Sequence, residues 1–153
     1  MRGVRCAALL VAAWACGGSA WAQERPAAVC PVDAQALPLG ALFGQWEARL
    51  EGAPGVSTVE LARHPEYAGV RGKVRRPDGT SAELAGDVDD EGLLALDESQ
   101  DGRAISATWS GTLQAASCGE VFEGTWRRAA DDYTTRFTLR KLPAGGTEGN
   151  PKP

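Results

Sequence analysis

Acidic side chains crowd residues 87–98 of this 153-residue chain. Counted from Asp87, acids fall at the first, third, fifth and twelfth positions as Asp87, Asp89, Glu91 and Glu98, with Gly92 at the sixth. Such short steps wrap oxygens around one hard cation such as calcium. The fifth position departs from that pattern, holding Glu where Asp or Asn is usual. The flanks also read as strands, where such loops sit between helices. An acidic hairpin tip in solvent would carry the same residues. The solvated turn is the plainer reading, and no cofactor is expected. The alternative is a calcium-stabilised loop built on Asp87, Asp89, Glu91 and Glu98.

Other reactive side chains are few. His64 is the only histidine. One His beside Pro65 in a loop cannot make a conventional zinc site. Ser-His-Asp and Cys-His arrangements lack material, and a carboxylate pair has no separation that a sequence can show. The chain is therefore not expected to be an enzyme. Arg71, Lys73, Arg75 and Arg76 form a basic stripe expected to face outward and to pair with Glu83 and Asp87 on the next strand.

The tryptophans and phenylalanines have more to say. Trp46, Trp109, Phe122, Trp126 and Phe137 all recur on one face of segments with period two. They either line a ligand cavity or fill a small barrel from within. The alternation is broad. Trp46, Ala48 and Leu50 oppose Gln45, Glu47 and Arg49; Val59 and Leu61 flank Glu60; Val70 to Arg75 alternates without a fault. Ala82 to Val88, Leu94 with Leu96, Ile105 to Leu113, Phe122 to Trp126 and Thr135 to Leu139 continue it. One apolar and one wet face is the pattern of an antiparallel sheet over a core.

Pro77-Asp78-Gly79, Asp89-Asp90-Glu91-Gly92 and Gln100-Asp101-Gly102 are turn sequences between consecutive runs. Eight runs between residues 45 and 140 leave no room for crossover helices. The expected fold is all-β: an eight-stranded antiparallel up-and-down meander closing into a small barrel, which removes both exposed edges. Gly72, Gly86, Gly111 and Gly124 recur in mid-strand on the inner face, as tight coiling requires. The same strands could instead stack as a two-layer sandwich, since periodicity does not see closure.

The segment before the strands looks like an address. Arg2 and Arg5 precede an apolar run from Cys6 to Ala15, and Ala20-Trp21-Ala22 offers small residues for cleavage before Gln23. Residues 1–22 are thus expected to be a signal peptide, with a periplasmic or secreted product. A competing reading takes Ala13-Trp14-Ala15-Cys16 as a lipoprotein box, which would anchor the chain to the envelope membrane through Cys16. Loss of residues 1–22 removes two arginines and no acid, taking the formal charge from −4 to −6. That balance excludes a nucleic-acid surface. It also leaves Cys30 and Cys118, which in an oxidising compartment most simply form one disulfide. Residues 23–43 form a Pro/Ala-rich lead-in, where Ala34–Leu37 or Leu39–Phe43 suits a short helical turn. Residues 44–142 form the barrel domain, and 143–153 read as a disordered tail.

Gly44-Gln45-Trp46 opens the first strand ahead of the glycine-punctuated meander. In this the chain resembles the lipocalin and avidin group of small barrels, and Ala107-Thr108-Trp109-Ser110-Gly111 is similar to a strand of bacterial avidins. The resemblance implies a binding barrel with G-x-W at its closed end. It does not imply a biotin site, because Arg49-Leu50-Glu51-Gly52 stands where avidins place polar ligand contacts. The chain also resembles small periplasmic inhibitors of bacterial metalloproteases, which share the barrel type, a G-x-W start, one disulfide and a mobile N-terminal segment, though with other cysteine spacing. Two functions follow as expectations. One is a calyx for a small apolar or amphipathic molecule, lined by the five inward rings. The other is a module that binds an envelope or secreted protein.

Overall fold

A computed structural model describes residues 30–31 and 33–144. The expected cleavage before Gln23, lipidation at Cys16 and the tail beyond Ala144 lie outside the described residues. Two single 3-10 turns, Ala34–Ala36 and Leu39–Leu42, lead into eight strands. These are β1 (Gly44–Leu50), β2 (Ser57–Arg63), β3 (Val70–Arg75), β4 (Ser81–Val88), β5 (Leu93–Ser99), β6 (Ala107–Leu113), β7 (Val121–Arg128) and β8 (Thr134–Lys141). Each pairs antiparallel with its neighbour in sequence, and β1 pairs with β8 through Ala48↔Leu139 and Leu50↔Phe137. The sheet is a closed barrel, so the sandwich alternative falls away.

Period-two alternation puts the core inside. Trp46, Val59, Val70, Val74, Leu94 and Phe122 are at most 1 % exposed, one or two from each of five strands. Ile105 is the exception to the expected alternation. It lies in the β5–β6 loop, is 51 % exposed, and precedes the first residue of β6. Ser106 explains this: its N–H and hydroxyl both bond to the carbonyl of Glu98, which uses the chain for a loop closure before the ladder begins.

The inner glycines answer to close approach. A Cβ on Gly86 would fall onto the backbone carbonyl of Ala95, and one on Gly124 onto that of Ser110. Only hydrogen fits where strands coil this hard. At Gly111 the space is taken instead by the Phe137 ring, 2.7 Å from where a Cβ would sit.

An up-and-down barrel has two ends. Loops 51–56, 76–80, 100–106 and 129–133 gather at one. Loops 64–69, 89–92 and 114–120 gather at the other, together with the lead-in that enters β1. The lead-in is fastened there at several points. Cys30 and Cys118 form the expected disulfide, with Cα atoms 4.4 Å apart. The Trp46 indole N–H donates to the Leu42 carbonyl at 2.9 Å, the Gln35 amide to the Asp90 carbonyl, and the Lys141 ammonium to the Ala41 carbonyl. Leu42 is 1 % exposed and Ala34 2 %, so both join the core. Burying a leucine to that degree contributes about 2 kcal/mol, which holds a segment too short to be a stable helix. No helix among the described residues is long and apolar enough to cross a membrane.

Candidate functional site

The structure brings the five inward rings together as a packed interior. Trp46 and Phe122 meet with centroids 5.9 Å apart, and Trp109 meets Phe137 edge-on at 5.0 Å. Exposure of the five ranges from 0 % at Trp46 and Phe122 to 8 % at Trp126. Trp109 and Trp126 are held by a group the expectations put elsewhere. Each indole N–H donates to Glu98 Oε2 over 3.1 Å, and Arg76 Nη2 reaches Glu98 Oε1 at 2.6 Å.

Two expectations are corrected here. Glu98 is not a partner of Asp87, Asp89 and Glu91. It continues the inward row of Leu94 and Leu96, is 1 % exposed, and stands opposite Leu84. The hairpin turn begins beyond Leu93, five residues away, or about 16 Å along a strand. Asp89 Oδ1 accepts the N–H of Glu91 at 3.0 Å and of Leu93 at 2.8 Å, so that carboxylate builds the turn. Gly92 completes the turn at φ +82°, a conformation suited to glycine. Among the described residues, no group of three or more His, Cys, Asp or Glu side chains is placed to hold a metal ion. The calcium spacing is therefore a property of the sequence that the hairpin pulls apart.

Arg76 is the second correction. It turns inward to Glu98 instead of extending the outer basic stripe. The stripe itself pairs once: Lys73 meets Glu83 at 3.0 Å, in register across β3 and β4. His64 stacks on Tyr67 with centroids 3.8 Å apart, and its Nδ1 accepts the N–H of Glu66.

A hollow of about 400 Å³ lies at the lead-in end. Ala34, Gln35, Leu37, Leu39 and Leu42 wall it from the lead-in, and Ala68 from the β2–β3 loop. The facing wall is Asp87, Val88, Asp89 and Asp90, the end of β4 and its turn. Leucines and Val88 give it an apolar floor, and the three aspartates a polar margin. The lead-in keeps this shape because Gln35 is tied to Asp90 across the hollow and Leu37 rests on Gly119 beside the disulfide. A second hollow of about 600 Å³, lined by the disulfide with Pro31, Ala36, Leu37, Pro38 and Ala41, has no charged lining.

Sequence reasoning found three walls of this site only in part. Asp87 and Asp89 were singled out for a metal, Val88 for the core, and the lead-in leucines for nothing beyond a helical turn. The available signal was Leu37, Leu39 and Leu42, three large apolar residues in a segment otherwise rich in Pro and Ala. Comparison with protein-family models and with curated proteins finds no match for this chain.

Proposed function

We propose that this chain is an exported binding protein, not a catalyst, and that it takes a small amphipathic molecule at the lead-in end of the barrel. The observation that carries this reading is the hollow of about 400 Å³ between the lead-in leucines and the β4–β5 turn. The bore supports the same choice, because the five rings that could line a calyx already pack on one another at 0–8 % exposure. Small-molecule sites are concave and combine apolar walls with a few placed polar groups; the hollow joins six apolar residues to Gln35 and three aspartates. The disulfide is in keeping with an oxidising compartment. Together with the leader-like residues 1–22 it supports a periplasmic or secreted location.

A second reading, a module that grips an envelope or secreted protein, draws on Tyr67. It is 65 % exposed and adjoins Ala68 of the same hollow, and exposed tyrosines suit protein interfaces.

Titration with N-phenyl-1-naphthylamine, a neutral dye that brightens in apolar surroundings, tests the first reading. Leu39→Trp puts a larger ring into the hollow and should weaken dye binding by roughly tenfold. Tyr133→Ala, at the opposite end, should leave it unchanged. Equal affinity in Leu39→Trp and the native chain would overturn the site. Absence of any binding would overturn the small-molecule reading and leave the protein-binding one.

A further inference from the structure

We infer that the hollow at the lead-in end selects an organic ammonium ion with an apolar body over a neutral or anionic molecule of the same size. The inference rests on the reading above and adds the charge of the ligand.

The apolar part of the argument is the floor. Leu37, Leu39, Leu42 and Val88 offer a small alkyl or aryl group a surface from which water is released. Polar discrimination must come from the margin, where Asp87, Asp89 and Asp90 supply three negative charges within four residues. Among the described residues the ion pairs are Lys73–Glu83, Arg76–Glu98, Arg127–Asp132 and Arg128–Asp131. None involves the three margin aspartates. Arg71 is the cation nearest in register, opposite Ala85 and two residues along β4 from Asp87, and it forms no ion pair with Asp87. Asp89 spends one oxygen on the turn, and Asp90 uses its backbone carbonyl, not its carboxylate, to hold Gln35. The hollow is therefore an apolar cleft with charge of one sign at its mouth, the arrangement that concentrates counter-ions. An ammonium head placed there meets carboxylates, and its tail meets leucine. A carboxylate head would meet repulsion. A hydroxyl head would gain only the floor.

The experiment uses the mature chain with its disulfide intact and three ligands of equal length: octylammonium, octanol and octanoate. Calorimetric titration at low salt should show octylammonium binding about tenfold tighter than octanol, as two or three partly exposed charge contacts allow. Octanoate should bind weakest. Asp87→Asn with Asp90→Asn, two exposed positions outside the turn's hydrogen bonds, should bring octylammonium to within about twofold of octanol. Octanol affinity should stay put. Added salt should erase the preference in the native chain in the same way. Equal affinities for octylammonium and octanol in the native chain would overturn the inference while leaving the site standing. Failure of all three ligands to bind would overturn the site as well.

Discussion

Arg76 closes on the Glu98 carboxylate at 2.6 Å, at the oxygen that the indoles of Trp109 and Trp126 leave free. Both oxygens of that buried carboxylate are thereby matched: Glu98 is 1 % exposed and its two oxygens have three donors. The cluster ties the start of the β3–β4 loop to three of the eight strands, β5, β6 and β7. A buried pair of this kind contributes little net stability, yet losing one member is costly. Arg76→Ala should therefore lower unfolding free energy by about 3 kcal/mol, the low end for an orphaned buried charge because Arg76 is 17 % exposed. Adding Glu98→Gln to Arg76→Ala should recover about half, since an amide is cheaper to leave unpaired and still accepts from the indoles. Urea denaturation of the two single variants and the double variant checks this. Strictly additive losses would show that Arg76 and Glu98 act independently.

Glycine substitutions should separate two kinds of constraint. At Gly86 a side chain would strike the Ala95 carbonyl, and backbone cannot move aside without breaking the ladder. Gly86→Ala should lower stability by about 3 kcal/mol. At Gly52 the φ is +76° but nothing lies within 4 Å. Gly52→Ala should cost only the left-handed backbone penalty, about 1 kcal/mol. Thermal unfolding followed by circular dichroism compares the pair, and equal losses would mean that close strand approach is not what Gly86 serves.

The strands were legible because one physical rule dominates them. With a filled bore and a wet outer wall, inward positions are apolar or small apart from the Arg76–Glu98 pair, so Trp46, Val59, Leu84 and Phe137 announce their faces by parity alone. Glu98 obeys the same parity after Leu94 and Leu96, and its burial was readable from there; the calcium spacing drew it instead toward the turn. Arg76 shares the parity of the inward Val70 and Val74, but its place in a run of basic residues drew it to the outer stripe; the partner that allows an inward arginine, Glu98, lies 22 residues on. The hollow was least legible of all. Its walls come from residues near 37, 68 and 88, and nothing local relates Leu39 to Asp90 until the disulfide and the Gln35 bond set the lead-in against the turn.

That dependence makes the disulfide a handle on binding as well as on stability. Cys30 and Cys118 are 88 residues apart in sequence, and constraint of so long a loop is worth up to about 4.6 kcal/mol. Cys30→Ala with Cys118→Ala should lower stability toward that figure. The barrel should persist, since its ladders do not use either cysteine. Hydrogen exchange should speed up at the lead-in amides of Ala36 and Phe43, bonded to Asp33 and Gly40, while amides of β5 and β6 hold. Dye affinity at the hollow should fall in parallel, because Leu37 would no longer be pinned on Gly119. Unchanged exchange at Ala36 and Phe43 would show that the lead-in is fastened without the bridge.

Acid should find the loops before the core. Asp101 accepts the backbone N–H groups of Ala104 at 2.9 Å and Arg103 at 2.8 Å, and the Ser99 hydroxyl. The Ala104 N–H, then that of Arg103, holds its carboxyl below the ordinary value of 3.8. Asp78 is lowered likewise, first by the Thr80 hydroxyl and then by the Thr80 N–H. A carboxyl whose folded value is depressed adds stability that is complete above the unfolded value and disappears as pH falls through the folded one. Both turns lie at the end of the barrel away from the lead-in, so the loss should begin there. The melting temperature should stay level from neutral pH down to about pH 5 and decline below about pH 4. Asp101→Asn should lower the plateau slightly, since an amide oxygen accepts fewer and weaker bonds, and should make the acid limb shallower. Melting curves recorded by circular dichroism across that range decide the matter: an acid limb of the same steepness in Asp101→Asn would show that the 99–104 turn does not carry the loss.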